Sequence, residues 1–379
     1  MDRIYFDYAS TTPCDLEVVK SMEPYFFTEF GNASSPHTIG RAANKALEDS
    51  RTRLANFIGA LPEEIIFNSG ATEGNNHAVL GMARATKNWG GHIIVSAIEH
   101  HSVLEPVEFL KKQGFRVTYL KVNEDGLVNS KDVLDAICDD TILIAVMHAS
   151  NEIGTVEPVA DIGAIAKEKN IPFLVDACQT VGHIPVDVNE FNCDLLSLSA
   201  HKFYGPKGVG ALYIRKATKI TPYLLGGDQE RSRRASTQNI PGAVGLAKAI
   251  ELCALKMRDE ENIQKQLRDY LIKEISKRIE RVKVNGHLSR RLPNNVHFSF
   301  EGVEGEYLLM SLDMNNMAAS MGSACTSGAM EPSHVLRAIG LSDDLSYGSL
   351  RITIGRWTTK EHIDYLLEKL PGLVKGMRI

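Results

Sequence analysis

Short apolar segments alternate with amphipathic ones through the first part of the chain. The apolar segments are typical of buried strands and lie at 64–69, 92–98, 116–122, 141–149, 171–177, 195–200 and 208–214. Helical periodicity separates several of them, at 72–86, 102–114 and 159–170. Strands that alternate with helices predict an α/β fold, with a mainly parallel sheet that helices cover on both faces.

The pattern changes near residue 239, where a long helical segment with a polar face begins and continues to Arg281. Short strands follow in NNVHFSF and SLRITIG, with further helices between and after them. We therefore predict a large domain over 15–255 and a smaller α+β domain formed by 1–14 and 256–379. Residues 29–41, which are rich in Gly, Asn, Ser and Pro, predict a loop.

Composition and charge narrow the class of protein. A chain of 379 residues with 44% hydrophobic residues is long enough for two domains with their own cores. The net charge of −5 argues against a direct nucleic-acid partner, and no apolar run approaches the ~18 residues of a membrane-spanning helix. The N-terminus has no signal-peptide pattern, and the six cysteines form no CxxC pair. We expect a cytoplasmic protein with no membrane association.

Polar residues stand where the predicted strands end, and Lys202 is the most informative of them. It follows the apolar segment 195–200, and on its own it is best interpreted as a side chain that extends from the sheet into solvent. The neighbouring strand ends carry Ala71 and Thr72, His100, Asn151, Asp176 and Gln179. Each of these alone is equally well a hydrogen-bonded loop residue. Because ligands bind beyond the carboxyl ends of strands in open α/β sheets, the whole set indicates one site.

Pyridoxal phosphate chemistry requires this set of side chains. A lysine must be partly desolvated to react with the aldehyde as the neutral amine, which suits Lys202. A carboxylate must pair with the pyridine nitrogen, and Asp176 lies 26 positions before Lys202 (202 − 176). Gln179 is placed for the phenolic oxygen, His100 for the ring face, and the helix start at Ala71–Thr72 for the phosphate. The chain contains no GxGxxG, GxxxxGKS/T or HExxH motif for competing chemistries.

A series of short motifs carries a family resemblance. The motifs are FGNASSPH, SGATEGNN, EHHSVL, NEIGT, VDACQTVG, SAHKFYGPKG, and GSACTSG followed by EPSHVLRA. In this order, and along essentially the whole chain, they resemble the cysteine desulfurases of the NifS/IscS type, which belong to the class V branch of the fold-type-I pyridoxal phosphate enzymes. The resemblance implies the fold-type-I architecture with a seven-stranded sheet, and pyridoxal 5'-phosphate as the cofactor.

The resemblance also implies a role for each residue at the strand ends. Lys202 is the Schiff-base lysine, Asp176 the partner of the pyridine nitrogen, and Gln179 the ligand of the phenolic oxygen. His100 stacks on the ring and transfers protons. The phosphate is held by Ala71, Thr72, Ser199 and His201, and by Thr237 of the neighbouring subunit in a homodimer.

A cysteine among small residues is the second reactive group. Cys325 lies in SMGSACTSGAMEPSH, although a single cysteine is more often an inert buried thiol. Its Gly and Ser neighbours favour an exposed loop tip, and the resemblance implies that its thiolate accepts the sulfur of the substrate. Arg351, 26 positions further on (351 − 325), aligns with the arginine that binds the substrate carboxylate. Asn151 is expected to help hold the substrate or the ring oxygen of the cofactor. Arg356 is interpreted as a structural arginine.

The resemblance implies the desulfuration of L-cysteine. Lys202 removes the Cα proton, Cys325 takes the sulfur as a persulfide, and L-alanine leaves. The sulfur then passes to an iron–sulfur scaffold protein or another acceptor, for iron–sulfur cluster assembly and also for tRNA thiolation. No intrinsic metal is expected, and Cys325 is at most a ligand of a transferred iron–sulfur cluster.

Three alternatives stay open at this point. A selenocysteine lyase on the same scaffold is not distinguished by the sequence. A class V aminotransferase has no use for Cys325 in its Gly- and Ser-rich segment, and a non-catalytic sulfur-assembly subunit has no use for an intact Lys202, Asp176 and His100. The chain also departs from the family at Ser236, where glycine is usual.

Overall fold

The computed structural model describes residues 3–86, 89–322 and 332–378. In chain order the strands are β1 Ile4–Tyr5, β2 Ile65–Asn68, β3 His92–Ser96, β4 Arg116–Leu120, β5 Thr141–Ala145, β6 Phe173–Asp176, β7 Leu195–Ser199, β8 Gly210–Ile214, β9 Val282–Asn285, β10 Asn295–Phe300, β11 Met317–Ala318 and β12 Ser349–Thr353. The helices are α1 Leu16–Met22, α2 Pro24–Phe27, α3 Thr38–Phe57, α4 Ala71–Ala85, α5 His101–Lys112, α6 Ser130–Ala136, α7 Val159–Lys169, α8 Gln229–Ser232, α9 Ile240–Arg278, α10 Gly305–Met314, α11 His334–Ala338, α12 Asp343–Tyr347 and α13 Lys360–Met377. Within these ranges, no helix combines the length and the apolar character needed to cross a membrane.

The large sheet has seven strands in the order β2-β8-β7-β6-β5-β3-β4. Strand β8 pairs antiparallel with both of its neighbours, while the pairs from β7 to β4 are parallel. Side chains alternate between two cores: in β3, Ile93 and Val95 pack with α4 and α5, whereas Ile94 packs on the face covered by α3 and α7. The predicted mainly parallel seven-stranded sheet, covered on both faces, is confirmed.

A second, antiparallel sheet has the order β12-β10-β9, and β1 pairs with β11 beside it. Its core joins Ile4 and Phe6 from the N-terminus to apolar residues of α9, α10 and α13. The first residues of the chain therefore pack with the C-terminal part. The domain boundary at 255/256 stays a prediction, because α9 continues through it without interruption.

The predicted loop at 29–41 is wrong at its C-terminal end. Helix α3 begins at Thr38, because His37 accepts a hydrogen bond from the Gly40 amide through Nδ1 and thereby caps the first turn. The sequence suggested a loop because Pro36 and Gly40 flank this start, yet proline directly before a helix and a buried glycine within it are both compatible with helix. Strands β1, β9 and β11 were also not predicted, since each is only two to four residues long.

A strained segment lies between β8 and α9. Glu230, Arg231 and Ser232 have φ values of 47°, 57° and 61°, and Ser236 has a φ of 98°. These left-handed conformations are costly for residues with a side chain. The segment is held by a buried ion pair, in which Arg51 donates to both carboxylate oxygens of Glu230 at 2.7 and 2.9 Å. The observed φ of Ser236 is the physical reason why glycine suits this position.

Replacing Ser236 with glycine should raise the free energy of unfolding by about 0.5–1 kcal/mol, because glycine adopts a positive φ without steric cost. Equilibrium denaturation of the two chains measures the difference. Ser34→Gly is the matched control, since Ser34 is exposed and is not among the described residues with positive φ. It should be neutral or slightly destabilising. A loss of stability in Ser236→Gly would contradict the strain argument.

Candidate active site

The carboxyl ends of the parallel strands border a cavity of about 380 Å³. The predicted site residues that line it are Ala71, Thr72, His100, Asn151, Asp176, Gln179, Ser199, His201, Lys202 and Arg351. Thr237 is exposed and is not part of this lining. Cys325 lies outside the described residues. The strand-end argument therefore brings together residues that are up to 280 positions apart (351 − 71).

Lys202 ends the short 3-10 turn that follows β7. Its Nζ donates hydrogen bonds to the carbonyl oxygens of Ala9 at 2.6 Å and Ser10 at 2.9 Å. Burial lowers the pKa of this amine below its ordinary value, and the nearby Arg351 guanidinium acts in the same direction. The amine is thus more often neutral, and more nucleophilic, than a lysine in water.

Asp176 is the last residue of β6 and is only 7% exposed. Asn75 of α4 donates to Oδ2 at 2.8 Å, and the backbone amide of Cys178 donates to Oδ1 at 2.9 Å. Asn75 is itself held by the Ser197 hydroxyl at 2.5 Å. These contacts fix the orientation of a buried carboxylate at the base of the cavity.

His100 is the N-cap of α5, and this position fixes its tautomer. Its Nδ1 accepts a hydrogen bond from the backbone amide of Ser102 at 3.1 Å, so the proton of the neutral ring is on Nε2. Burial lowers the pKa of the imidazole and outweighs the opposite effect of the Asp176 carboxylate. His100 is therefore mainly neutral near pH 7, with an Nε2–H group available to donate.

The start of α4 offers a place for an anion. Gly70, the N-cap residue, has a φ of 148° and no side chain with which to cap the helix. The Ala71 amide donates to the Ser199 hydroxyl at 2.7 Å, and Thr72 is exposed at the cavity. A helix of 15 residues presents free N–H groups and the positive end of its dipole here. His201 lines the same cavity, and burial lowers its pKa to about 4.

Arg351 reaches the cavity from β12 of the second sheet. Its side chain is 3% exposed, and it forms an ion pair with Asp7 at 2.7 Å. It also donates to the Ser10 hydroxyl at 2.8 Å and to the Asn151 carbonyl at 2.9 Å. Arg356 instead pairs with Asp15 and Glu260, away from the cavity lining, which agrees with its interpretation as structural.

Several lining residues were not predicted from the sequence. They are Ala9, Ser10, His101, Met147, Glu152, Gly322 and His334, among others. Ala9 acts through its backbone carbonyl and Ser10 through its carbonyl and its hydroxyl, and neither has a sequence signature of the site. The signal for the others was their place in the quoted motifs: EHHSVL, NEIGT, GSACTSG and EPSHVLRA contain His101, Glu152, Gly322 and His334. Glu152 is buried and accepts a hydrogen bond from Ser333 at 2.5 Å, and burial raises the pKa of its carboxyl.

Comparison with known proteins then identifies the family. The pattern of the aminotransferase class-V family matches residues 4–366. The chain belongs to this family. A protein named cysteine desulfurase IscS from Dictyoglomus turgidum is 53% identical over 375 residues, which cover 99% of this chain and 95% of the relative. One of the same name from Methanosarcina thermophila is 49% identical over 375 residues and covers 99% and 93%.

Solved structures of similar proteins have the same fold. A NifS-like protein superposes with a TM-score of 0.93 at 35% identity, over 99% of this chain and 100% of the other. A structure described as SspA in complex with cysteine gives a TM-score of 0.84 at 37% identity, over 94% and 100%. Class-V aminotransferases of this group are pyridoxal phosphate enzymes with the fold-type-I architecture. The predicted fold class and cofactor are therefore confirmed.

The residues of this class-V family member fit pyridoxal phosphate on their own geometry. The cavity presents an amine with a lowered pKa, a buried carboxylate and an imidazole of fixed tautomer. It also contains the N-terminus of α4, whose N-cap residue is a glycine without a capping side chain. These are the groups needed for the aldehyde, the pyridine nitrogen, the ring face and the phosphate.

Lys202→Ala should lose the covalent attachment of the cofactor. Borohydride reduction of the wild-type holoenzyme, followed by peptide mass spectrometry, should place the cofactor on residue 202, because its amine is partly desolvated. Lys207→Ala, five positions further on and exposed, is the matched control and should keep the label. A reduced adduct on another lysine, with Lys202 unlabelled, would show that the cofactor assignment is wrong.

Proposed function

We propose that this chain is a pyridoxal phosphate-dependent cysteine desulfurase, which releases L-alanine from L-cysteine and carries the sulfur as a persulfide on Cys325. One observation supports this above the others. Gly322 and His334, from the chain on either side of the segment that contains Cys325, line the same cavity as Lys202 and Arg351. A thiol in that segment is therefore close in the chain to residues that contact the substrate site.

Full-length relatives support the reaction type. Proteins named cysteine desulfurase match 99% of this chain at 53% and 51% identity, so the predicted cysteine desulfurase activity is confirmed. The identity of the sulfur-carrying residue, the acceptor and the quaternary structure are our own inferences. A class V aminotransferase remains a weaker alternative, because it has no use for a cysteine in the segment between Gly322 and His334.

Pyridoxal phosphate supplies, when bound, an aldehyde that condenses with amines and a protonated ring that delocalises the electrons of a bond broken at Cα. Lys202 is the residue that would bind the aldehyde, and Asp176 would keep the pyridine nitrogen protonated. Gln179 and His100 would contact the ring oxygen and the ring face. The phosphate would be held by Ala71, Thr72, Ser199 and His201.

Proton movement depends on two groups of this cavity. The Nζ of Lys202 accepts the proton from the substrate Cα, because its lowered pKa leaves the amine neutral more often. His100 is mainly neutral and offers Nε2–H as a hydrogen-bond donor, since Nδ1 is held by the Ser102 amide; it supplies a proton only from its imidazolium form, after it has accepted one. At neutral pH the amine thus acts as the base and the imidazole as a hydrogen-bond donor.

The substrate carboxylate is assigned to Arg351, with Asn151 beside it. A guanidinium binds a carboxylate through two parallel N–H donors, which fixes the orientation of the amino acid. Asn151 lines the cavity, and its carbonyl already accepts a hydrogen bond from Arg351. We infer that the Cα of L-cysteine would then lie between Arg351 and Lys202.

The persulfide sulfur on Cys325 is then transferred to an acceptor. We infer that this acceptor is an iron–sulfur scaffold protein and that tRNA thiolation is a further use of the sulfur. The cysteines support a cytoplasmic location: Cys193 and Cys253 are buried and free, as in a reducing compartment. Cys325 as a ligand of a transferred cluster stays a proposal.

A homodimer is supported by an exposed apolar surface near the N-terminus. Leu16, Val19, Phe26, Phe27 and Phe30 are all exposed. Five large apolar side chains that are exposed within 15 positions of the chain (16–30) favour a protein contact in this region. Thr237 is also exposed, with the strained segment 230–236 before it. We infer that a second copy covers the surface and that Thr237 reaches the phosphate of that copy.

Cys325→Ser should bind the cofactor normally but release no sulfide, because a serine hydroxyl is a far poorer nucleophile toward sulfur at neutral pH. Sulfide release and alanine release from L-cysteine, in the presence of a thiol reductant, measure both products. Cys138→Ser is the matched control, since Cys138 does not line the cavity, and it should keep both activities. Near-normal sulfide release by Cys325→Ser would contradict the proposed route. Activity of that variant on L-selenocysteine alone would favour the lyase.

Thr237→Val should weaken cofactor binding by about tenfold to a hundredfold, as expected for one charge-assisted hydrogen bond to phosphate. Equilibrium dialysis of pyridoxal phosphate against each chain gives the dissociation constants. Thr52→Val is the control, because Thr52 is exposed and its hydroxyl donates to the Glu48 carbonyl of the same helix, α3.

A mixed dimer tests whether Thr237 acts across the interface. Dimers that contain one Lys202→Ala chain and one Thr237→Val chain should have one site with no lesion and one site with both. Half of the wild-type activity is then expected. Full activity of a monomer in sedimentation experiments would contradict the shared site.

A further inference from the structure

The guanidinium of Arg351 is almost fully occupied by the protein itself. Its Nη1 donates to the backbone carbonyls of Asn151 at 2.9 Å and Gly322 at 3.3 Å. Its Nη2 donates to the Asp7 carboxylate at 2.7 Å and the Ser10 hydroxyl at 2.8 Å. Only Nε is buried without a hydrogen-bond partner among the described residues. Four of the five N–H donors of this side chain are therefore in use.

A substrate carboxylate needs two adjacent donors of this group. The free Nε and the inner hydrogen of Nη2 form one edge of the guanidinium, and this edge matches a carboxylate with two oxygens. On this edge, Nη2 donates to the side chains of Asp7 and Ser10. The other nitrogen, Nη1, is held by backbone carbonyls, which cannot move away without shifting the chain. A substrate carboxylate can therefore replace a protein group more easily at Nη2 than at Nη1.

We infer that Asp7 is a built-in competitor for the substrate carboxylate: it occupies Arg351 in the absence of substrate, and the α-carboxylate of the amino acid replaces it on the Nε and Nη2 edge. The inference rests on the proposed function, in which Arg351 binds that carboxylate. It adds a role for Asp7, which is not part of the cavity lining.

The surroundings of Asp7 suit such an exchange. Its Oδ1 accepts hydrogen bonds from both Arg351 and the Ser10 hydroxyl, the latter at 2.9 Å. Its side chain is 20% exposed, against 3% for Arg351, so the carboxylate can be hydrated when it is displaced. The guanidinium keeps a negative partner in both states, and no unpaired buried charge arises during turnover.

The exchange limits how tightly any monocarboxylate binds. The substrate and the product L-alanine carry the same α-carboxylate, so competition by Asp7 weakens both and favours release of the product. If Asp7 is a competitor, removal of its negative charge should tighten the binding of the amino acid. If Asp7 merely orients Arg351, the same change should weaken that binding. The sign of the change in affinity therefore separates the competitor role from the orienting role.

The test is calorimetric titration of L-alanine into the holoenzyme. Asp7→Asn should bind L-alanine about tenfold more tightly than wild type, the difference between a charge-assisted and a neutral hydrogen bond on Arg351. In steady-state assays the KM for L-cysteine should fall, with no rise in kcat. Asp313→Asn is the matched control, because it removes the exposed Asp313–Arg3 ion pair, and it should leave the affinity for L-alanine unchanged.

A double-mutant cycle shows whether the effect passes through Arg351. In an Arg351→Gln background, Asp7→Asn should have no further effect on the affinity for L-alanine. If Asp7→Asn is unstable in thermal denaturation, Asp7→Ser, which also removes the charge, takes its place in the same titrations. Tighter binding that persists in the Arg351→Gln background would overturn the inference.

The outcomes also separate this inference from the proposed function. Weaker or unchanged binding of L-alanine to Asp7→Asn overturns the competitor role, whatever the enzyme does to L-cysteine. Failure of wild type to release alanine from L-cysteine, with tighter alanine binding in Asp7→Asn, overturns the proposed function and supports the competitor role. Absence of L-alanine binding to wild type and to both Asp7 variants overturns the assignment of Arg351 and the competitor role with it.

Discussion

One amine held largely out of water, the Nζ of Lys202, is the constraint on which the rest of this site depends. Burying it costs free energy, which the Ala9 and Ser10 carbonyls offset in part through hydrogen bonds of 2.6 and 2.9 Å. Those carbonyls belong to the N-terminal segment, which packs with the second sheet. Burial and the Arg351 guanidinium, which belongs to that second sheet, lower the pKa of the amine, so its reactivity depends on contact between the two parts of the molecule.

The N-terminal segment 7–12 connects the groups that the chemistry requires. Besides Lys202, the Ala9 carbonyl accepts a hydrogen bond from Gln179 at 3.0 Å, and Asp7 and Ser10 hold Arg351. Thr12 donates to the His201 carbonyl at 2.9 Å. A displacement of this segment would disturb the cofactor side and the substrate side together. Catalysis and binding of the carboxylate are thus coupled through a few residues that perform no chemistry themselves.

Much of this could be predicted from the sequence, and particular residues show why. The seven strands follow from short apolar segments that alternate with amphipathic ones, and the rule that ligands bind at strand ends predicts that Asp176 and Lys202 lie in one site. The assignments of Thr237 and Cys325 depended on family resemblance, because neither has a local physical signature. The Ala9 and Ser10 carbonyls and the ion pair of Asp7 with Arg351 could not be predicted, since they arise from contacts between distant segments.

The central claim is that one cavity joins cofactor chemistry at Lys202 to sulfur transfer on Cys325. A single-turnover experiment tests it most directly: holoenzyme is mixed with L-cysteine without a reductant, and L-alanine is quantified together with the mass of the peptide that contains Cys325. The account predicts equal amounts of L-alanine and of Cys325 carrying one added sulfur. L-Alanine that forms only when a keto acid is supplied, with Cys325 unmodified, would contradict it.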